Sequence, residues 1–140
     1  MKLQHVEVNY LHQAWPLVEP WLIPVFEKSE ISKYYSIDNL KDYILSGAQK
    51  LLVFVDTDNN ILGALTVQWT NYPKARIANV TCLGGSFGKS SEHYMLFIDW
   101  AKHMGATKIE CSGRASVVRL HVKHNVGFIP SNHFHMELNL

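Results

Sequence analysis

Three glycines within five residues, Gly84, Gly85 and Gly88, separate an apolar run ending at Leu83 from an amphipathic run beginning after Ser91. A glycine-rich turn between a strand and a helix start gathers free backbone N–H groups at the positive end of a helix dipole, an arrangement that holds anions. Without a Cβ the backbone can approach a ligand closely and adopt positive φ, so that successive amides curl toward one oxygen. Lys89 and the hydroxyls of Ser86, Ser90 and Ser91 can add contacts. The competing reading is a turn that needs glycine only to change direction. Gly88-Lys89-Ser90 also ends like a nucleotide-binding P-loop, but that pattern requires glycine where Leu83 stands, and a hairpin precedes it.

Periodicity places the loop inside a larger order. Leu3 to Val8 alternates enough for a first strand. From Leu11 to Phe26 the residues Trp15, Val18, Trp21, Leu22 and Phe26 recur at helical spacing, and Pro16, Pro20 and Pro24 predict short helical pieces rather than one rod. Ser36 is placed to cap a helix carrying Leu40, Tyr43 and Ile44 and stopped by Gly47. Lys50 to Asp56 and Ile61 to Trp69 read as a hairpin about Thr57-Asp58-Asn59-Asn60. A turn at Asn71-Tyr72-Pro73 leads to a third strand of that meander, Ala75 to Leu83. After the glycines, Ser90 or Ser91 caps a helix with Tyr94, Phe97, Ile98 and Ala101 on one face, ended by Gly105. Burying each large member of that stripe is worth ~1.5–3 kcal/mol, so the helix must pack on the sheet. Thr107 to Cys111 follows as a strand, Ser116 to Asn125 as a helix and His133 to Leu138 as a last strand. The expected fold is α/β (α+β): a mixed, mostly antiparallel central sheet flanked by helices, formed as a single domain over residues 1–140.

Composition narrows the partners. A net charge of +1 provides no basic field for nucleic acid or an anionic membrane, and no apolar run approaches the roughly 20 residues of a membrane span. Two cysteines and an N-terminus without a secretory pattern fit a reducing cytoplasm.

The loop, together with Gly63 after the hairpin turn, the helix end Asp99-Trp100-Ala101-Lys102-His103-Met104-Gly105-Ala106 and the run Val126-Gly127-Phe128, resembles the GNAT N-acetyltransferases over most of the chain. Their pyrophosphate loop reads Q/R-x-x-G-x-G/A. Gly85-Ser86-Phe87-Gly88-Lys89-Ser90 keeps its middle glycine, with Gly85 and Ser90 at the outer positions. Cys82-Leu83-Gly84-Gly85 and Ser112-Gly113-Arg114 look closer still to GNAT-like proteins of tailed bacteriophages and prophages. The resemblance implies acetyl-CoA as cosubstrate, with Cys82 and Leu83 lining its pantetheine and Gly84, Gly85, Ser86, Phe87, Gly88, Lys89 and Ser90 holding its pyrophosphate. It also implies direct transfer to an amine on a small molecule or peptide. The family's tyrosine acid falls at Lys123, and Arg76 to Leu83 carries no carboxylate base, so no catalytic residue is assigned. Glu110 is the nearest substitute. The alternative is a non-catalytic bacteriophage protein of this fold with a structural or interaction role, in the host cytoplasm or the virion.

Other groupings carry less. His133 and His135 share a strand face, and His121 and His124 lie three apart on a helix, but nothing local joins the two pairs into a zinc site, and no metal is expected. Arg114 and Arg119 suit either a coenzyme phosphate or a solvated helix. Trp15, Trp21, Tyr34 and Tyr35 are candidates for the substrate side, with core packing the alternative for the two Trp. An exposed edge at the last strand admits a homodimer.

Overall fold

The computed structural model describes residues 1–140. Its strands are β1 (Lys2–His5), β2 (Lys50–Val55), β3 (Ile61–Tyr72), β4 (Ala75–Gly85) and β5 (Lys108–Cys111). The helices are α1 (Leu11–Glu27), α2 (Ile37–Leu45), α3 (Glu92–His103) and α4 (Ala115–Lys123). The strands form one sheet in the order β1-β2-β3-β4-β5. Every pair is antiparallel except β4 and β5, as expected for a mixed sheet whose α3 crossover returns the chain parallel to itself.

Both faces of the sheet are covered, which is why β2 reads as a continuous apolar run. Leu51, Val53 and Val55 point toward α1 and α2, where they pack with Leu11, Val18, Leu22, Leu40 and Ile44. Leu52 and Phe54 point the other way, with Leu65, Val67, Phe97 and Ala101. Ser36 caps α2 as expected, its Oγ accepting from Asn39 N–H at 3.1 Å while Asn39 Oδ1 accepts from Ser36 N–H at 3.0 Å. No helix is long and apolar enough to cross a membrane.

Four features differ from the sequence expectation. α1 is one helix of 17 residues that contains all three prolines. Pro16, Pro20 and Pro24 recur every fourth residue and are all exposed, so the carbonyls they leave without a donor face water on the outer side. The inner side is the uninterrupted stripe Leu11, Trp15, Val18, Leu22 and Phe26. β4 runs two residues further than expected, so Gly84 and Gly85 belong to the strand, opposite Ala64 and Gly63. Ser91 holds the N-cap position of α3 without a side-chain bond, while Ser90 Oγ accepts from Glu92 N–H at 3.1 Å. The strand expected at His133 to Leu138 is not formed. A strand exists only through its ladder, and the bonds of this segment are local: His133 N–H to Ser131 Oγ, and His135 with Glu137.

Candidate functional site

The site is set by where β5 stops. β4 and β5 pair from Ile77↔Lys108 to Val80↔Cys111, while β4 continues to Gly85. At that point the β3 ladder steps from Val67↔Val80 to Thr66↔Cys82, leaving Thr81 as a bulge. A bulge bends its strand and increases its twist, and β4 runs on to Gly85 after β5 has ended at Cys111, leaving the β5 side of Thr81 to Gly85 without a neighbouring strand, a fork between the two strand ends.

Buried polar groups pin the bulge. Thr81 Oγ1 donates to Gln49 Oε1 at 2.6 Å and lies 2.6 Å from Thr66 Oγ1. Gln49 Nε2 donates to the Tyr35 hydroxyl at 3.4 Å. Thr66 is fully buried and Gln49 nearly so, and each finds its partner in this chain, as buried polar groups must. Nothing local in the sequence marks Gln49, Thr66 and Thr81 as a unit, because they come from three separate segments.

Beyond the bulge, alternation decides which backbone groups are free. Ser86 N–H bonds to Leu62 C=O at 2.8 Å. In an antiparallel pair bonded and non-bonded positions alternate, so Gly84 and Cys82 bond to β3, whereas Leu83 and Gly85 turn their N–H and C=O into the fork. The Cys82 side chain lies in the α1 core, its Sγ 3.7 Å from Leu22 O, and burial pushes its thiol up to about 12. Phe87 folds back over Gly63 and Gly85 and stacks on His93 at 4.0 Å.

From Phe87 to Ser91 no backbone N–H has an acceptor in the protein. These five amides lead into the first turn of α3, where the helix dipole is positive. Gly88 holds φ +63, and nothing would lie within 4 Å of a Cβ there. Lys89 and Ser90 are exposed beside it. Glu92, the acidic residue of that turn, pairs with the Met1 ammonium at 3.7 Å.

α4 closes on this end of α3 through histidines. Ser91 Oγ lies 2.8 Å from His124 Nδ1, and Tyr94 OH 2.5 Å from His121 Nδ1. The pair read from sequence as a possible half of a metal site thus faces a serine and a phenol, and no group of three or more His, Cys, Asp or Glu is placed to hold a metal ion. Burial first, and then the nearby Cys111, hold the Tyr94 phenol above its ordinary range. Burial first, and then His124, hold His121 below its own. Lys123 is exposed on α4, Glu110 pairs with Lys108 at 3.0 Å, and Arg114 and Arg119 are exposed. Trp15 is buried in the core, and Tyr34 is exposed on the turn before α2.

No family model and no curated protein matches the sequence. Solved structures do match along the whole chain. A probable acetyltransferase is 12% identical with a TM-score of 0.65, covering 100% of this chain and 98% of its own. A ribosomal-protein-alanine N-acetyltransferase from Brucella melitensis biovar Abortus is 11% identical with a TM-score of 0.64 and covers 100% of both chains. A predicted acetyltransferase with acetyl-CoA from Clostridium acetobutylicum is 14% identical with a TM-score of 0.62, covering 99% and 95%. At these identities the likeness establishes a common fold. The α+β arrangement with its five-stranded, mostly antiparallel sheet is the GNAT-type acetyltransferase fold.

Proposed function

We propose that the domain is an acetyl-CoA-dependent N-acetyltransferase acting on an amine of a small molecule or peptide. The observation that carries this reading is the continuity between the fork and the free amides. The outward backbone of Leu83 and Gly85 offers strand-like hydrogen bonds to an amide-bearing arm, and the N–H groups of residues 87–91 stand where that arm would deliver a diphosphate. The donor chemistry fits the group: amides, Lys89 and the Ser90 hydroxyl at a helix N-terminus favour anionic oxygen. Gly84 and Cys82 have their N–H groups in the β3 ladder and face α1, so the backbone of Leu83 and Gly85 is what β4 offers the arm.

Acetyl-CoA supplies a thioester whose carbonyl an amine can attack, the C–S bond breaking as the amide forms. The chain's part is to hold the arm along β4 and to fix the fork through the Thr81 bulge. Such positioning can supply several kcal/mol of the barrier reduction. With no carboxylate on β4 and Lys123 at the family's tyrosine position, the amine proton passes to solvent in this scheme.

Lys123 and the carboxylate-free β4 favour one second reading, a protein that keeps the fold as a scaffold, such as a bacteriophage component acting in the host cytoplasm or the virion. Thermal unfolding with added coenzyme separates the two. At about a hundred times its Kd, CoA should add ~2.7 kcal/mol of stability, and an amine panel should yield an acetylated product. Binding without any product supports the scaffold, and an unmoved melting curve removes the coenzyme altogether. Gly88→Val should leave the domain folded yet weaken CoA binding at least tenfold, because a β-branched residue resists positive φ and the turn must re-form. Gly88→Asn, which tolerates that conformation, should retain binding. Equal affinity in the valine variant would place the ligand elsewhere.

A further inference from the structure

On the face beneath α1 and α2 the sheet changes character at the foot of the fork. Leu51, Val53, Val55, Ala64 and Cys82 give that face its apolar layer, but Thr66, Thr81, Asn79 and Glu110 interrupt it toward β5. The register makes the assignment, because directly paired side chains share a face. Ala78, Val80 and Ile109 pack in the α3 layer, so Asn79 and its partner Glu110 lie on the opposite side. α1 lies across β3 and β4, and α4 is tied to α3. The Glu110 side chain is thus 44% exposed, one residue short of the end of β5. Thr81, the first β4 residue past the β5 ladder, stands beside it.

Along the buried hydrogen-bond chain one donor is left over. Thr81 Oγ1 gives its proton to Gln49 Oε1, so the proton between the two threonines belongs to Thr66. With its oxygen taken, Gln49 turns Nε2 to Tyr35, whose phenol oxygen accepts. A hydroxyl both accepts and donates, and the Tyr35 O–H has no acceptor in the protein. Phe26 and Tyr43 hold its ring at centroid distances of 5.7 and 5.2 Å. Burial holds the phenol above its ordinary range, so it keeps that proton at neutral pH.

We propose that the acceptor amine reaches the fork from this face, its ammonium taken by the Glu110 carboxylate and a carbonyl oxygen close to it by the Tyr35 O–H. The inference rests on the coenzyme reading and adds the second substrate to it. The site selects an alkylammonium with a neighbouring carbonyl, as in an amino-acid amide. An arylamine, neutral at pH 7, gains nothing from the carboxylate, and an amine on a bare hydrocarbon leaves the phenol proton without a partner. The ammonium sheds one proton to solvent before its nitrogen attacks the thioester. Lys108 lies on the same face and pairs with Glu110 at 3.0 Å. Exposed pairs of this kind are weak, so the Lys108 ammonium competes with the acceptor for the carboxylate rather than excluding it.

Acetylation of two probes at saturating acetyl-CoA tests the site: phenylalaninamide, which carries the carbonyl, and 2-phenylethylamine, which lacks it and is otherwise the same. The unmodified protein should take the amide with the lower KM. Tyr35→Phe should raise that KM about fivefold, the worth of one hydrogen bond, and leave 2-phenylethylamine unchanged, a split that loosened packing would not produce. Glu110→Gln should raise both KM values about tenfold, and Lys108→Gln should lower both. All three variants should keep the melting shift that CoA produces, which puts the changes on the acceptor side. A Tyr35→Phe that affects both amines alike, a Glu110→Gln with unchanged KM, or a protein that CoA stabilises but that acetylates neither probe would overturn the acceptor site and leave the coenzyme reading standing. A melting curve unmoved by CoA would overturn both.

Discussion

Replacing Gly84 with alanine is expected to cost the domain about 3 kcal/mol, the upper part of the range for overpacking a core, and to lower its melting temperature by about 10 °C. The added Cβ would sit 2.0 Å from the Trp21 carbonyl oxygen and 2.9 Å from its carbonyl carbon. Both obstructing atoms are backbone, in the middle of α1, so no rotamer change can make room. The helix cannot step back either, because Val18 and Leu22 on either side of Trp21 are fully buried against the sheet. Urea unfolding of the variant measures the cost, and a loss below 1 kcal/mol would show that α1 is not seated where the structure puts it. Gly88→Ala meets nothing within 4 Å and should lose only the strain of its positive φ, about 1 kcal/mol. Neighbouring glycines of one sequence cluster thus do different work: Gly84 admits a helix, Gly85 and Gly63 admit the Phe87 ring, and Gly88 turns the chain.

That division explains how far the sequence could be read. The cluster was visible as a place where backbone must come close to something, yet what comes close to Gly84 is Trp21, which no local pattern connects to it. The fold class and the cap of α2 were legible because they rest on spacing within one segment. The prolines misled in an instructive way. Each is a helix breaker taken singly, but four-residue recurrence sets all three on one face, opposite the apolar stripe, and only when that stripe is packed does a continuous helix become the better solution. The tail presents the reverse case, since alternation from His133 onward is sequence-local, whereas a strand needs a partner that the alternation does not name. The Gln49–Thr81–Thr66 bonds and the contacts of His121 and His124 escaped for the same reason, being pairings of distant segments.

The histidines at the head of α3 make stability depend on acidity. His93 is 5% exposed, its ring lies on Phe87 at 4.0 Å and 7°, and its Nδ1 is buried without a partner. Burial first, and then the charges of His124 and His121, hold its pKa down to about 4, against 6.5 for a free imidazole. The sign follows from proton counting. Above pH 6.5 the ring is neutral in both states and its contribution is whole, while below it the unfolded chain takes up a proton that the folded chain refuses. Stability is therefore lost progressively from pH 6.5 to about 4, by about 3 kcal/mol from this group. His121, shifted the same way, adds to the loss and loosens the Tyr94 contact that holds α4. His93→Phe keeps the stack on Phe87 and removes both the titration and the orphaned nitrogen, so between pH 7 and 5 its unfolding free energy should fall by much less, leaving only the share of His121. The unmodified protein should fall by about 2 kcal/mol over that interval. Urea titrations of both proteins at half-unit steps decide the matter: parallel curves would mean that the imidazole is charged inside the fold, and the packing of Phe87 on His93 would have to be redrawn.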